Sequence, residues 1–228
     1  MIYVLLVLLI VLIIYSPQIW VKLMLRKHSS HAEHLPGTGG ELARHLLDRF
    51  SLEFVKVEAA ERDRDHYDPQ SNTVRLSPDY LNGKSITAVA VAAHEVGHAI
   101  QFNRKEAVSF LREKYLGTAI RIKKAGTIIL IFSPLIFALL RIPQSFLAVV
   151  CLGLIIMLTS VFMYAAILPE EWDASFNKAL PILTEGQYVN DSELAAVKQV
   201  LTACALTYVA AALADLLSIW RWLLILRR

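Results

Sequence analysis

The chain has 228 residues, 56% of them hydrophobic, with a formal net charge of +3 and two cysteines. A mean hydropathy of +0.49 is too high for an ordinary soluble protein and points to a membrane. So small a net charge excludes nucleic acid as a natural partner, and Cys151 and Cys204, both inside long apolar runs, argue against a disulfide framework or a thiolate zinc site.

In chain order, residues 2–14 form an aliphatic run with Tyr3 near its start, and apolar character continues patchily to Leu25. No basic residue precedes this run, it ends in Tyr15-Ser16-Pro17, and Lys22, Arg26 and Lys27 follow it. That is the reverse of a cleaved signal peptide. Residues 1–27 therefore read as an uncleaved transmembrane anchor, its N-terminus outside and its basic flank in the cytoplasm. His28, His31 and His34 sit at helical spacing, but without the spacing of a zinc helix they read as a solvated juxtamembrane segment. Residues 35–40 give a turn and a helix start, and the apolar positions of 41–48 recur at helical period. Residues 54–57 and 73–76 alternate as short strands, with the polar turn Asp65-His66-Tyr67-Asp68-Pro69 between them. The second strand, just before the next helix, reads as an edge on which an extended peptide could pair.

Residues 86–100 are an apolar run too short to span a bilayer, so they read as a buried helix. That helix carries His94-Glu95-Val96-Gly97-His98. Residues four apart share a helix face, so both imidazoles can meet one ion. Two imidazole nitrogens suit zinc, and Glu95 beside them suits the base that takes a proton from an activated water. The plainer alternative is two satisfied core histidines around a capped Glu. It leaves an ionised carboxylate on an apolar helix, which is costly without a partner such as a metal.

Arg121, Lys123 and Lys124 mark a second basic edge, after which residues 125–168 are apolar except around Arg141-Ile142-Pro143-Gln144. At about twenty residues per span this is a transmembrane helical hairpin turning at 141–144. Its outer turn has one Arg against several basic residues on the inner edge, so segment 28–124 faces the cytoplasm. The hairpin then returns segment 169–194 to the same side. Segment 195–228 is apolar, interrupted by Asp215 and Arg221, and reads as membrane-associated helices: one long span, a span plus an interfacial helix, or a re-entrant pair. Asp215 is better read as a helix-packing partner than as a site residue.

A catalytic zinc takes three protein ligands and keeps one position for water. No histidine follows His98, so the third ligand is one of His28, His31, His34, His45 and His66, or a carboxylate. Pro169 suits a first helical turn, and Glu170 and Glu171 come next. Glu171 shares its helix face with Ala174 and Ser175, Glu170 with Asp173 and Ala174. The small Ala174 permits close helix approach in either case.

Five stretches carry a family resemblance: Gly39-Gly40-Glu41-Leu42-Ala43-Arg44-His45-Leu46-Leu47-Asp48, Asp65-His66-Tyr67-Asp68-Pro69, Val74-Arg75-Leu76-Ser77, residues 88–101 around the zinc motif, and Glu171-Trp172-Asp173-Ala174-Ser175. Together they resemble the YugP-type membrane zinc metallopeptidases over most of residues 36–180. The resemblance implies a mainly α integral membrane protein: a zincin-like, gluzincin-like catalytic region with a short β segment, joined to several transmembrane helices. It implies a zinc-dependent endopeptidase acting on a peptide or protein substrate at a bacterial membrane, and the charge bias and the return of the hairpin put its site at the cytoplasmic face. Glu171 is favoured as third ligand, because the family's Glu-aromatic-Asp-Ala-Ser pattern falls there. In the broader gluzincin pattern an Asp four residues after the ligand Glu supports a zinc histidine. Here Ser175 stands at that place and Asp173 lies two residues after Glu171, so both are candidates for support. His66 and Tyr67 are candidates for an oxyanion donor. Two readings compete with the peptidase. A non-catalytic scaffold or chaperone partner would tend to close its zinc with four protein ligands, and a zinc-linked transporter would carry more ionisable groups in its spans.

Overall fold

The computed structural model describes residues 2–62, 64–140 and 143–215. The chain is mainly helical with one small sheet. It runs α1 (Ile2–Lys27), α2 (Gly39–Arg49), β1 (Lys56–Ala59), β2 (His66–Asp68), β3 (Thr73–Leu76), α3 (Pro78–Leu81), α4 (Ile86–Asn103), α5 (Leu111–Leu140), α6 (Pro143–Ala165) and α7 (Leu168–Trp172). A π-helix (Asp173–Ala179), α8 (Leu180–Glu185), a 3-10 turn (Asp191–Glu193) and α9 (Leu194–Ala205) follow. The chain divides into two compact units, one made of Ile19–Phe110 with Pro169–Thr207, the other of Met1–Gln18, Leu111–Leu168 and Tyr208–Arg228. Segment 28–124 of the sequence reading is thus shared between them.

In the first unit, α2 starts at a capping box: the Thr38 hydroxyl accepts from the Glu41 N–H, and the Glu41 carboxylate accepts from the Thr38 N–H. Two orphan donors of the first turn are satisfied in this way. Its Ala43, Leu46 and Leu47 then face the core. α4 is capped by the Ser85 hydroxyl, which accepts from the Ala88 N–H. Every residue of α4 from Thr87 to Gln101 is buried. A helix that is apolar all round must be enclosed on every side, and α4 is the core element of this unit. The sheet has the order β1-β3-β2, with β1 parallel and β2 antiparallel to β3. This corrects the expectation that 73–76 is an edge. Val74 and Leu76 are fully buried, so β3 takes the middle and leaves the edges to β1 and β2.

In the second unit, α5 and α6 pack along each other. A Cβ placed on Gly126 would lie 3.0 Å from the Gly153 carbonyl oxygen, so the two glycines let the backbones touch, as in small-residue helix contacts in membranes. The outward faces are apolar, with Ile131, Phe132, Leu135, Leu152, Ile155 and Phe162 all exposed. Asp215 is buried and forms an ion pair with Lys123. Among the described residues one helical run, Leu147–Glu185, is long and apolar enough to cross a membrane. Asp191–Ala205 and Thr207–Asp215 pass the same test only as a pair bent by 44°. Of the several spans expected, the described residues therefore supply one, or two if the bent pair counts. The hairpin turn at Arg141 and Ile142, and the stretch after Asp215 with Arg221, lie outside the described residues.

Candidate metal centre

His94 and His98 sit one turn apart on α4 and turn their Nε2 atoms to one point, 3.2 Å from each other. Glu171, from α7, brings its Oε2 to 3.3 Å from each of those nitrogens. Donor atoms bound at roughly 2.0–2.1 Å to a tetrahedral zinc lie roughly 3.3–3.4 Å apart. The triangle therefore has the size of one face of such a site. All three side chains are buried, and Glu171 Oε1 has no hydrogen-bond partner. Burial alone would push the Glu171 carboxyl up, but the flanking His98 and His94 outweigh it and hold the group well below the usual carboxylate range. A carboxylate kept ionised in a dry place needs positive charge beside it, and two imidazoles with an anionic oxygen are a donor set that fits zinc.

The approach of α4 to the segment that follows Glu171 depends on Gly97. A Cβ there would lie 2.8 Å from the Ala174 carbonyl oxygen and 3.3 Å from Lys178 Cβ. The π-helix begins two residues after Glu171 and carries Ser175, whose Oγ is 3.0 Å from His94 Nδ1 and 3.1 Å from the Leu201 carbonyl. His98 Nδ1 lies 3.0 Å from Gln101 Oε1. Asp173 accepts from Gln101, Asn177 and Lys178. Burial tends to raise the Asp173 carboxyl, and those three donors bring it below its ordinary value. Glu170 points elsewhere: its carboxylate is 3.8 Å from His98 Nδ1, the nitrogen on the far side of the ring from Glu171.

Glu95 is 5% exposed, and its Oε2 accepts the Tyr67 N–H of edge strand β2 at 2.8 Å. The Tyr67 phenol lies elsewhere, donating to Asn72 at 2.9 Å and accepting from Asn103 at 3.3 Å. His66 donates from Nδ1 to the Arg64 carbonyl at 2.8 Å, which leaves a lone pair on Nε2 of the neutral ring. It is the Tyr67 main chain, through its N–H, that meets Glu95. Three other histidines have their own partners: His28 meets Gln199, His34 meets Glu193 and His45 meets Tyr188.

Two residues escaped the sequence reading. Asp65 receives the Ser77 N–H at 2.6 Å and the Ser77 hydroxyl at 3.2 Å. Burial pushes its carboxyl up to about 6, with the Ser77 bonds pulling against it and the charge of Glu95 adding to it. In sequence it opens one of the stretches that carry the family resemblance, but its local pattern is only that of a polar turn residue. Gln101 had a signal, since it stands three residues after His98 and so on the same helix face.

A family model described as "Putative neutral zinc metallopeptidase" matches residues 3–227. The chain is also 37% identical over 209 residues to the "Putative membrane protease YugP" of Bacillus subtilis (strain 168), covering 91% of this chain and 89% of that protein. No solved structure matches the chain.

Proposed function

The chain belongs to that zinc metallopeptidase family, and from this premise we propose that it is a membrane-embedded zinc endopeptidase. His94, His98 and Glu171 are the metal ligands, and Glu95 is the general base. The observation that carries this reading is the buried triangle of 3.2 and 3.3 Å edges, with the buried Glu95 following His94 in the chain. When bound, zinc supplies Lewis acidity, polarising the scissile carbonyl and making water more acidic. Glu95 takes the proton of the attacking water and passes it to the amine as the C–N bond breaks. The Tyr67 N–H at Oε2 fixes the orientation of that carboxylate. Ser175 and Gln101 hold the rings of His94 and His98.

Among the described residues the group offers three protein ligands, which suits a site with an open position better than a closed structural one. That count weighs against the scaffold reading. The apolar outer faces of α5 and α6 suit lipid, and the charge bias of the basic flanks supports a site on the cytoplasmic side. Purified in detergent with zinc, the protein should cleave an unfolded protein substrate. Glu95→Gln should keep its zinc and lose at least about 100-fold in turnover. Equal turnover in wild type and Glu95→Gln would overturn the proposal.

A further inference from the structure

Gln101 is 1% exposed, and its amide is engaged at both ends. Nε2 lies 3.0 Å from the Glu170 carbonyl oxygen and 2.8 Å from Asp173 Oδ2, while Oε1 faces His98 Nδ1. A main-chain carbonyl can only accept, so the NH2 end must face Glu170 and Asp173. The amide oxygen is then the end that meets His98. His98 therefore carries a proton on Nδ1, and in the neutral ring the Nε2 lone pair is turned towards Glu171. The tautomer of this histidine is set by a carbonyl one residue before the third ligand.

The same amide ties α4 to the segment on both sides of Glu171, at Glu170 before it and Asp173 after it. Resting on the zinc-peptidase reading above, we infer that Gln101 is a positioning residue of the metal centre. It locks His98 in the metal-binding tautomer and fixes how closely Glu171 approaches α4. A carboxylate, the common orienting partner of a zinc histidine, cannot do both at this place. It would accept from His98 but would face the Glu170 carbonyl and the Asp173 carboxylate with no hydrogen to give. Negative charge is held one step further out, on Asp173, where Lys178 Nζ at 3.0 Å and Asn177 Nδ2 at 2.7 Å also bind it. Lys178 in turn reaches Glu106 at 2.9 Å, back near the end of α4.

The test is zinc affinity of the full-length protein in detergent, by competition with a chromophoric chelator. It compares wild type, Gln101→Glu, and the double variant Gln101→Glu with Asp173→Asn. Gln101→Glu should bind zinc roughly 10–100-fold more weakly. The double variant should recover much of that loss, because the new Asn amide can donate to the new carboxylate. General damage to the core would not be repaired by a second substitution, so recovery separates positioning from misfolding. Wild-type zinc binding with an unchanged affinity in Gln101→Glu, or a double variant no tighter than the single, overturns this assignment alone. A wild-type protein that takes up no zinc overturns the peptidase reading and the assignment with it.

Discussion

At the residue scale, each of the two α4 histidines leans on a neutral group whose own hydrogen bonding ends at a main-chain carbonyl. For His94 that group is Ser175. Its hydroxyl has the accept-only Leu201 carbonyl at 3.1 Å, so it donates there and its oxygen receives the His94 Nδ1–H. A carboxylate at this position would turn an acceptor towards the Leu201 carbonyl, which is a physical reason for Ser to replace the Asp of the broader pattern. Ser175→Ala should weaken zinc binding about tenfold, as losses of outer-sphere partners do. Chelator competition would check it, and an unchanged affinity would remove Ser175 from the site. Glu95 depends on its neighbours in the same manner, since the N–H that orients it belongs to a residue whose side chain is occupied elsewhere.

At the element scale, the site needs α4 to lie against the π-helix and β2 to hold its place at the sheet edge. Gly97 governs the first contact. In Gly97→Ala the new methyl would meet the Ala174 carbonyl at 2.8 Å, and relieving that overlap should cost about 1–3 kcal/mol. It should also draw Glu171 away from the histidines. A lowered melting temperature together with weaker zinc binding is the expected result, and a change in neither would contradict the packing argument. The second contact depends partly on Asp68, which receives Arg75 at 2.6 Å as well as Ser71 and the Gln70 N–H. The Arg75 guanidinium holds its carboxyl down to about 2 from an ordinary 3.8. A folded value below the unfolded one gives stability that is complete above about pH 4 and is lost as pH falls through about 2. Asp68→Asn should therefore cost about 1–2 kcal/mol at neutral pH. The gap should close between pH 4 and 2 in thermal unfolding; a gap that stays constant over that interval would show that the charge is not its source.

At the scale of the whole molecule, much of the site is legible in the sequence because it follows helical spacing. His94, Glu95 and His98 fall on a buried helix, and the return of a carboxylate after the apolar stretch is readable from charge and length. Helix faces do not choose between Glu170 and Glu171, since both offer a small neighbour, and only the family resemblance favours Glu171. Three-dimensional packing puts Glu171 between the Nε2 atoms and Glu170 beside Nδ1. The position of β3 in the sheet is hidden for a different reason: strand order is a non-local pairing, and alternation in 73–76 is the same in a middle or an edge strand. Asp65 reaches Ser77 across twelve residues, a contact that no local pattern records. The central claim is that Glu171, not Glu170, completes the metal centre. Zinc per chain in purified wild type, Glu171→Ala and Glu170→Ala tests it most directly. About one zinc should remain in wild type and in Glu170→Ala, and almost none in Glu171→Ala. Stoichiometric zinc in Glu171→Ala, or its loss only in Glu170→Ala, would contradict the account.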